Sequence, residues 1–322
     1  MHSADLLSWA AACGLFVCAA VALATTVPAA PNGLDAILPK NAKLEKVAGG
    51  MKFIEGPVWD GSGGVVFSDI PADTLYRFTT PVGEGQALPV FRNPSGEANG
   101  NTRDRQGRLI SCEHKNRRVS RTEKDGMVVT LAYAYQNKRL NSPNDIVVKS
   151  DGTLFFTDPP YGLPNQTVGK ELDFNGVYRI DKDGSLTLLV ADFERPNGLA
   201  FSPDERRLYV NDSQRGHIRV FDVQADGTLA NGRVFAELKE PGARGVPDGM
   251  KVDKQGNVYC TGPGGVWVFA PTGMYLGRIA TPEVSANCGW GDRDGKTLYI
   301  TASTGLYRIR TKIGGALPGP TR

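Results

Sequence analysis

The sequence predicts an all-β chain: a six-bladed β-propeller of four-stranded antiparallel blades, its ring closed by an N-terminal strand. Three observations lead there. A short apolar strand follows a turn six times, with starts separated by 44, 45, 54, 50 and 40 residues. Behind each comes a second strand whose apolar and polar residues alternate, as in a strand with one buried face. No helical period occurs beyond the first thirty residues.

Composition agrees with this reading. The 322 residues include 39 Gly and 21 Pro, with only 8% aromatic residues, which suits many short strands and tight turns. A formal net charge of +3 without any Lys/Arg cluster argues against a nucleic-acid partner. Three histidines in the whole chain weigh against a zinc or His-rich metal centre.

Taken in order, residues 1–30 read as a cleaved signal peptide. Leu6 to Ala24 is almost entirely apolar or small, no Lys or Arg precedes Lys40, and Ala22-Leu23-Ala24 offers a small-x-small cleavage site. The mature protein is then periplasmic or secreted, begins between Thr25 and Asn32, and has no membrane association. The alternative is an uncleaved anchor, because the apolar run nearly reaches the length of a span. Residues 31–50 are expected to supply the closing strand, near Leu44 to Val47. Residues 51–312 form the propeller, and 313–322 a flexible tail. The mature chain keeps Cys112, Cys260 and Cys288, an odd count at scattered spacing that reads as three small buried thiols and not as a disulfide framework.

The six apolar strands are Val65-Val66-Phe67, Leu109-Ile110-Ser111, Leu154-Phe155-Phe156, Leu208-Tyr209-Val210, Val258-Tyr259-Cys260 and Leu298-Tyr299-Ile300. Their alternating partners begin at Leu75, Val119, Val177, Ile218, Val266 and Leu306. Asp-Gly turns such as Asp125-Gly126, Asp151-Gly152, Asp183-Gly184 and Asp226-Gly227 join strands within a blade. A further apolar stretch closes most units, for example Leu186 to Val190. The sixth unit lacks a fourth strand after Ile309, and this is why an N-terminal strand is needed.

Each blade's innermost strand opens on a polar residue: Glu55, Asn99, Asn144, Asn197, Asp248 and Asn287. Equivalent positions in a closed propeller form a ring around its axis. Two carboxylates and four amides, with no histidine or thiolate, are hard oxygen donors of the kind that bind calcium. Without a cation, Glu55 and Asp248 would repel each other and lose hydration. Simple turn formation accounts for the Asp-Gly pairs inside blades, but the ring stands at the opposite strand ends, and Glu55 is no turn former.

The link between second and third strands lies on the ring's face. It is long only in blade 3, where Asp158 to Asn175 carries Pro159-Pro160-Tyr161-Gly162, and a long loop there reads as a lid or specificity wall. His114 and Asp212 fall at the corresponding links of blades 2 and 4.

At these residues the chain resembles the gluconolactonase and senescence-marker-protein (regucalcin) family of propellers, from about Lys52 to Arg310. The segments that carry the resemblance are Glu55-Gly56-Pro57-Val58-Trp59, Cys112-Glu113-His114-Lys115-Asn116-Arg117-Arg118-Val119, Ser142-Pro143-Asn144-Asp145, Asp158-Pro159-Pro160-Tyr161-Gly162, Arg195-Pro196-Asn197-Gly198 and Pro247-Asp248-Gly249-Met250. The resemblance is nearer to the bacterial gluconolactonase branch. It implies a calcium ion, replaceable by magnesium, manganese or zinc, on Glu55, Asn144, Asn197 and Asp248. It also implies that Asp248 is the catalytic proton-transfer group in the opening of a sugar lactone. The animal branch holds substrate with an arginine two residues before the Asn144 position, where this chain has Ser142. Asn99, His114 and Tyr161 are expected to contact sugar hydroxyls, with a purely structural role for His114 as the alternative. Two other functions stay open on this scaffold: an aryl-ester or aliphatic-lactone hydrolase of the paraoxonase kind, and a non-catalytic binding propeller.

Overall fold

The computed structural model describes residues 33–79 and 87–316. The expected signal segment lies outside them. Among the described residues, no helix is long and apolar enough to cross a membrane.

Six four-stranded antiparallel sheets are arranged as the six blades of a propeller. From the axis outward, blade 1 comprises Ile54–Trp59, Gly64–Asp69, Thr74–Thr79 and Val90–Arg92, and blade 2 Ala98–Arg103, Leu109–Glu113, Arg118–Thr122 and Val128–Ala132. Blade 3 comprises Ile146–Val148, Leu154–Asp158, Asn175–Ile180 and Leu186–Phe193. Blade 4 comprises Pro196–Phe201, Arg207–Asp212, His217–Val223 and Leu229–Glu237, and blade 5 Met250–Val252, Val258–Gly262, Gly265–Phe269 and Tyr275–Ala280. Blade 6 takes Ser285–Gly291, Thr297–Ala302 and Gly305–Arg310 from the end of the chain and Glu45–Ala48 from its beginning.

That last pairing closes the ring. Glu45 faces Arg308 and Lys46 faces Tyr307, and the register slips before Ala48 meets Leu306. Upstream, the short turn Leu34–Ala36 delivers Ile37, which is buried against blades 5 and 6 with the partly buried Leu34, Leu38, Ala42 and Leu44 packed around it. Residues 313–316 differ from the flexible tail expected of them. Lys254 donates its backbone N–H to Gly314, Ala316 donates to Val252, and Asp253 bridges Gly315. Two backbone hydrogen bonds hold this stretch on blade 5, and Gly315 is small enough to sit against Trp290 of blade 6.

The core is a set of apolar layers between neighbouring blades. Ile110, Cys112 and Val119 of blade 2, for example, pack with Ile146, Val148, Phe156 and Tyr178 of blade 3. This is the use of the period-two alternation, since each blade needs an apolar side toward each neighbour. Cys112, Cys260 and Cys288 are buried free thiols within these layers. The Asp-Gly turns also behave as local chemistry dictates: Asp125, Asp151, Asp183 and Asp226 each accept a hydrogen bond from the N–H two residues on. A small hairpin absent from the sequence reading, Ala134–Tyr135 with Lys138–Arg139, turns through Gln136 and Asn137 at positive φ between blades 2 and 3.

Candidate active site at the channel mouth

The ring residues stand where the innermost strands leave their ladders. In blade 1, Glu55 pairs with Ser68 but the next pair is Val58 with Val66. Blade 2 skips from Ala98–Glu113 to Asn101–Ser111, and blade 4 from Pro196–Asp212 to Leu199–Val210. These bulges free the leading residue from the regular pleat. Neighbouring inner strands are also in backbone contact: Gly100 donates to the Asn144 carbonyl at 2.8 Å, Gly198 to that of Asp248 at 3.1 Å, and Gly249 to that of Ala286 at 2.7 Å. A Cβ at Gly198 would stand 2.2 Å from the Asp248 carbonyl oxygen, so the ring closes only because glycine follows its polar residue here.

A second circle of polar residues fixes the first. One residue of each second strand is Ser, Thr or Asn: Ser68, Ser111, Thr157, Asn211, Thr261 and Thr301, all buried. Ser68 donates to the Asn99 carbonyl and Thr157 to that of Asn197, each at 2.7 Å, while Asn211 donates to that of Asp248. Each bond crosses from one blade to the next, so the donor set holds the ring backbone in place.

The side chains of the ring form a connected chain. Asn99 donates to Asn144 and Asn144 to Asn197, each at 2.7 Å. Asn197 donates to Ser213 at 3.0 Å and also hydrogen-bonds Asp248. Desolvation, followed by the charges of Glu55 and Asp145, raises the Asp248 carboxyl well above its usual range, although the residue is partly exposed at the mouth. Glu55 is raised as well, by burial first and the Asp145 charge second. Asp145 is buried beside Asn144, raised by desolvation, with Lys251 Nζ 3.8 Å away as its counter-charge.

His114 is buried, and Nε2 lies 3.3 Å from Asn99 Nδ2. Burial lowers its pKa to about 4, so the ring is neutral near pH 7 and that nitrogen can accept from the amide. Gly162 packs against His114 so closely that a Cβ there would come within 2.4 Å of His114 Cβ. The blade 3 loop therefore leans directly on the ring. Ser142 ties it down, donating to the Pro159 carbonyl at 2.6 Å and accepting from the Gly162 N–H at 2.9 Å. Tyr161 is half-buried, hydrogen-bonded to Ser213 and Asn197, and near the Asp248 charge; burial pushes its hydroxyl up to about 12. The Arg195 guanidinium lies 5.7 Å from its ring centroid.

The structure thus brings Glu55, Asn99, His114, Asn144, Tyr161, Asn197 and Asp248 together at one mouth. Asp212 does not join them: its carboxylate accepts from the backbone N–H groups of Glu194, Arg195, Gln214 and Arg215. Sequence reasoning missed Asp145 and Lys251, and it missed the Ser/Thr/Asn circle. That circle has a signal, since each member directly follows an apolar strand triad or ends it.

Among the described residues, no group of three His, Cys, Asp or Glu is arranged to hold a metal. The donor set here is different and fits a hard cation. Two desolvated carboxyls, Glu55 and Asp248, both raised by the Asp145 charge and Asp248 also by that of Glu55, stand with the amide oxygens of Asn144 and Asn197, each of which accepts one hydrogen bond and keeps a second lone pair.

Comparison with known proteins gives this geometry its context. The family model described as the SMP-30/gluconolactonase/LRE-like region matches residues 53–304. The chain belongs to this family. It is 37% identical over 308 residues to a gluconolactonase of Zymomonas mobilis, covering 88% of this chain and 85% of that one. The solved gluconolactonase of Xanthomonas campestris superposes with a TM-score of 0.78 at 37% identity, covering 87% and 92% of the two chains. The regucalcin of Agrobacterium tumefaciens, described as a calcium-binding protein, shares the fold at a TM-score of 0.70 and 18% identity, over 86% and 98%.

Proposed function

We propose that the protein hydrolyses a sugar lactone, with glucono-1,5-lactone as the representative substrate, to the aldonic acid. It does so with one divalent cation, calcium, on Glu55, Asn144, Asn197 and Asp248. The observation that carries this reading is the Glu55–Asp248 pair. Both carboxyls are desolvated, the Glu55 charge raises Asp248, the Asp145 charge raises both, and the pair stands among amide oxygens at a mouth where Asp248 is partly exposed. The gluconolactonases that the chain resembles over most of its length support it.

When bound, calcium supplies Lewis acidity toward the lactone carbonyl and the positive charge that lets Glu55 and Asp248 ionise together. Asp248 then serves as general base. It takes a proton from a water whose oxygen attacks the carbonyl carbon, and it returns that proton to the ring oxygen as the C–O bond breaks. Its backbone is pinned by Gly198 and Asn211, so the carboxylate is aimed before substrate arrives. Asn99 Oδ1, a buried acceptor without a partner, accepts from a sugar hydroxyl, and the Tyr161 hydroxyl donates to another. His114 stays neutral and orients the Asn99 amide, a positioning role.

The deciding experiment is lactone hydrolysis by purified protein before and after chelation, with calcium, magnesium, manganese and zinc restored singly. Loss on chelation and recovery with calcium support the reading. A substrate panel of glucono-1,5-lactone, a fatty lactone and phenyl acetate tests the sugar-lactone assignment, and a preference for phenyl acetate overturns it.

A further inference from the structure

The propeller channel has a second end, and its chemistry is the reverse of the first. Beneath the ring, the far ends of the inner strands enclose a cavity of about 420 Å³, within the size range of small-molecule sites. Trp59, Phe201 and Trp290 give it flat apolar walls, and Arg103, Lys251 and Lys254 line it as cations. The acids nearby are already engaged. Asp60 accepts from Arg77 at 2.6 Å and from the N–H groups of Ser62 and Gly64. Glu205 accepts from the Ser150 N–H and hydroxyl, each at 2.6 Å. Lys251 donates to the Met250 carbonyl and stands 3.8 Å from Asp145, too far for a direct hydrogen bond to its carboxylate. Lys254 is exposed at the opening.

We infer that this cavity binds a small organic anion, a carboxylate or sulfonate on a flat apolar body, entering by the mouth opposite the ring. The assignment rests on charge and shape together. Anions are disfavoured at the ring, where Glu55, Asp145 and Asp248 converge, and favoured at the other end, where Arg103, oriented by its bond to the Asp60 carbonyl at 2.6 Å, Lys251, shared with Asp145, and the exposed Lys254 line one cavity. The apolar walls match an aromatic or alicyclic body better than a polyhydroxylated sugar. The inference does not rest on the lactonase reading: of the residues it uses, only Lys251 also acts toward the ring, as the counter-charge of Asp145, and Lys254→Glu tests the cavity without it.

The test uses the full chain with metal chelated and lactone absent. Naphthalene-2-sulfonate, its neutral counterpart naphthalene-2-methanol and the cation 2-naphthylmethylammonium are titrated separately by calorimetry. One-to-one binding of the sulfonate, at least tenfold tighter than either counterpart, is expected. Lys251→Met should abolish most of that preference. Lys254→Glu, at an exposed position that does not threaten folding, should weaken the sulfonate about tenfold while leaving the neutral probe unchanged. Equal binding of all three probes overturns the assignment. So does sulfonate affinity that both substitutions leave intact, or the absence of saturation at millimolar probe.

Discussion

Asp158→Asn should make the protein more stable above neutral pH and leave it little changed in mild acid. Asp158 is fully buried at the root of the blade 3 loop. One carboxyl oxygen accepts the Asn141 N–H at 2.7 Å and the other has no partner. The nearest cations are committed elsewhere: Arg117 donates to the carbonyls of Leu140 and Asn141, and Lys170 to those of Leu172 and Phe174. Burial outweighs these stabilising contacts and pushes the carboxyl up to about 7 from an ordinary 3.8. A group whose folded pKa is raised binds more protons in the native state than in the unfolded state between those values. Its contribution is therefore favourable in acid and is lost as pH rises from about 4 to about 7. Three pKa units correspond to roughly 4 kcal/mol as an upper figure. The asparagine keeps an acceptor for Asn141 and cannot ionise, so it removes this loss. Urea unfolding of both proteins at intervals from pH 4.5 to 8 should show their stability difference growing toward the variant by several kcal/mol. Parallel profiles would refute the reasoning, because Asp158 would then be ionised and satisfied throughout.

Three further outcomes follow from the same structure. Deleting residues through Gly50 removes the strand that pairs with Gly305–Arg310 together with buried Ile37, a loss on the order of several kcal/mol; thermal melting at the full-length temperature would contradict the closure. Tyr161→Ala should reorder the preferred lactones while calcium affinity, read by calorimetry, holds within a few-fold. Because Glu55 and Asp248 are both raised, calcium must displace protons to bind. Its affinity should fall steadily as pH is lowered from 8 to 5.5, with proton release visible as a buffer-dependent binding enthalpy.

Much of this was legible in the sequence because a propeller repeats. Each blade needs the same alternation, the same turn and the same lead residue, so Glu55, Asn99, Asn144, Asn197, Asp248 and Asn287 announce themselves by spacing. The joining of the chain's two ends was legible for the opposite reason, as a blade short of a strand. What stayed hidden depends on pairing across blades. That Ser68 would clasp the Asn99 carbonyl, or that Lys251 would stand beside Asp145, is set by ring curvature and not by local pattern. The docking of residues 313–316 was missed because a Gly/Pro-rich end looks flexible until the groove that receives it is known. Asp212 makes the converse point. An acid at the right end of the right strand is spent on four backbone N–H groups, a role that only the folded loop defines.

The central claim gives Asp248 two tasks, ligand and base, and one comparison separates them. Asp248→Asn keeps an oxygen donor and removes nearly all basicity, whereas Asn144→Ala removes a neutral ligand and keeps the base. The measurement is kcat for glucono-1,5-lactone in both variants at saturating calcium. Asn144→Ala should recover most of its turnover, and Asp248→Asn should stay slow by about 10²–10⁴-fold, roughly 3–5 kcal/mol of barrier. Near-normal turnover by calcium-saturated Asp248→Asn would contradict the account.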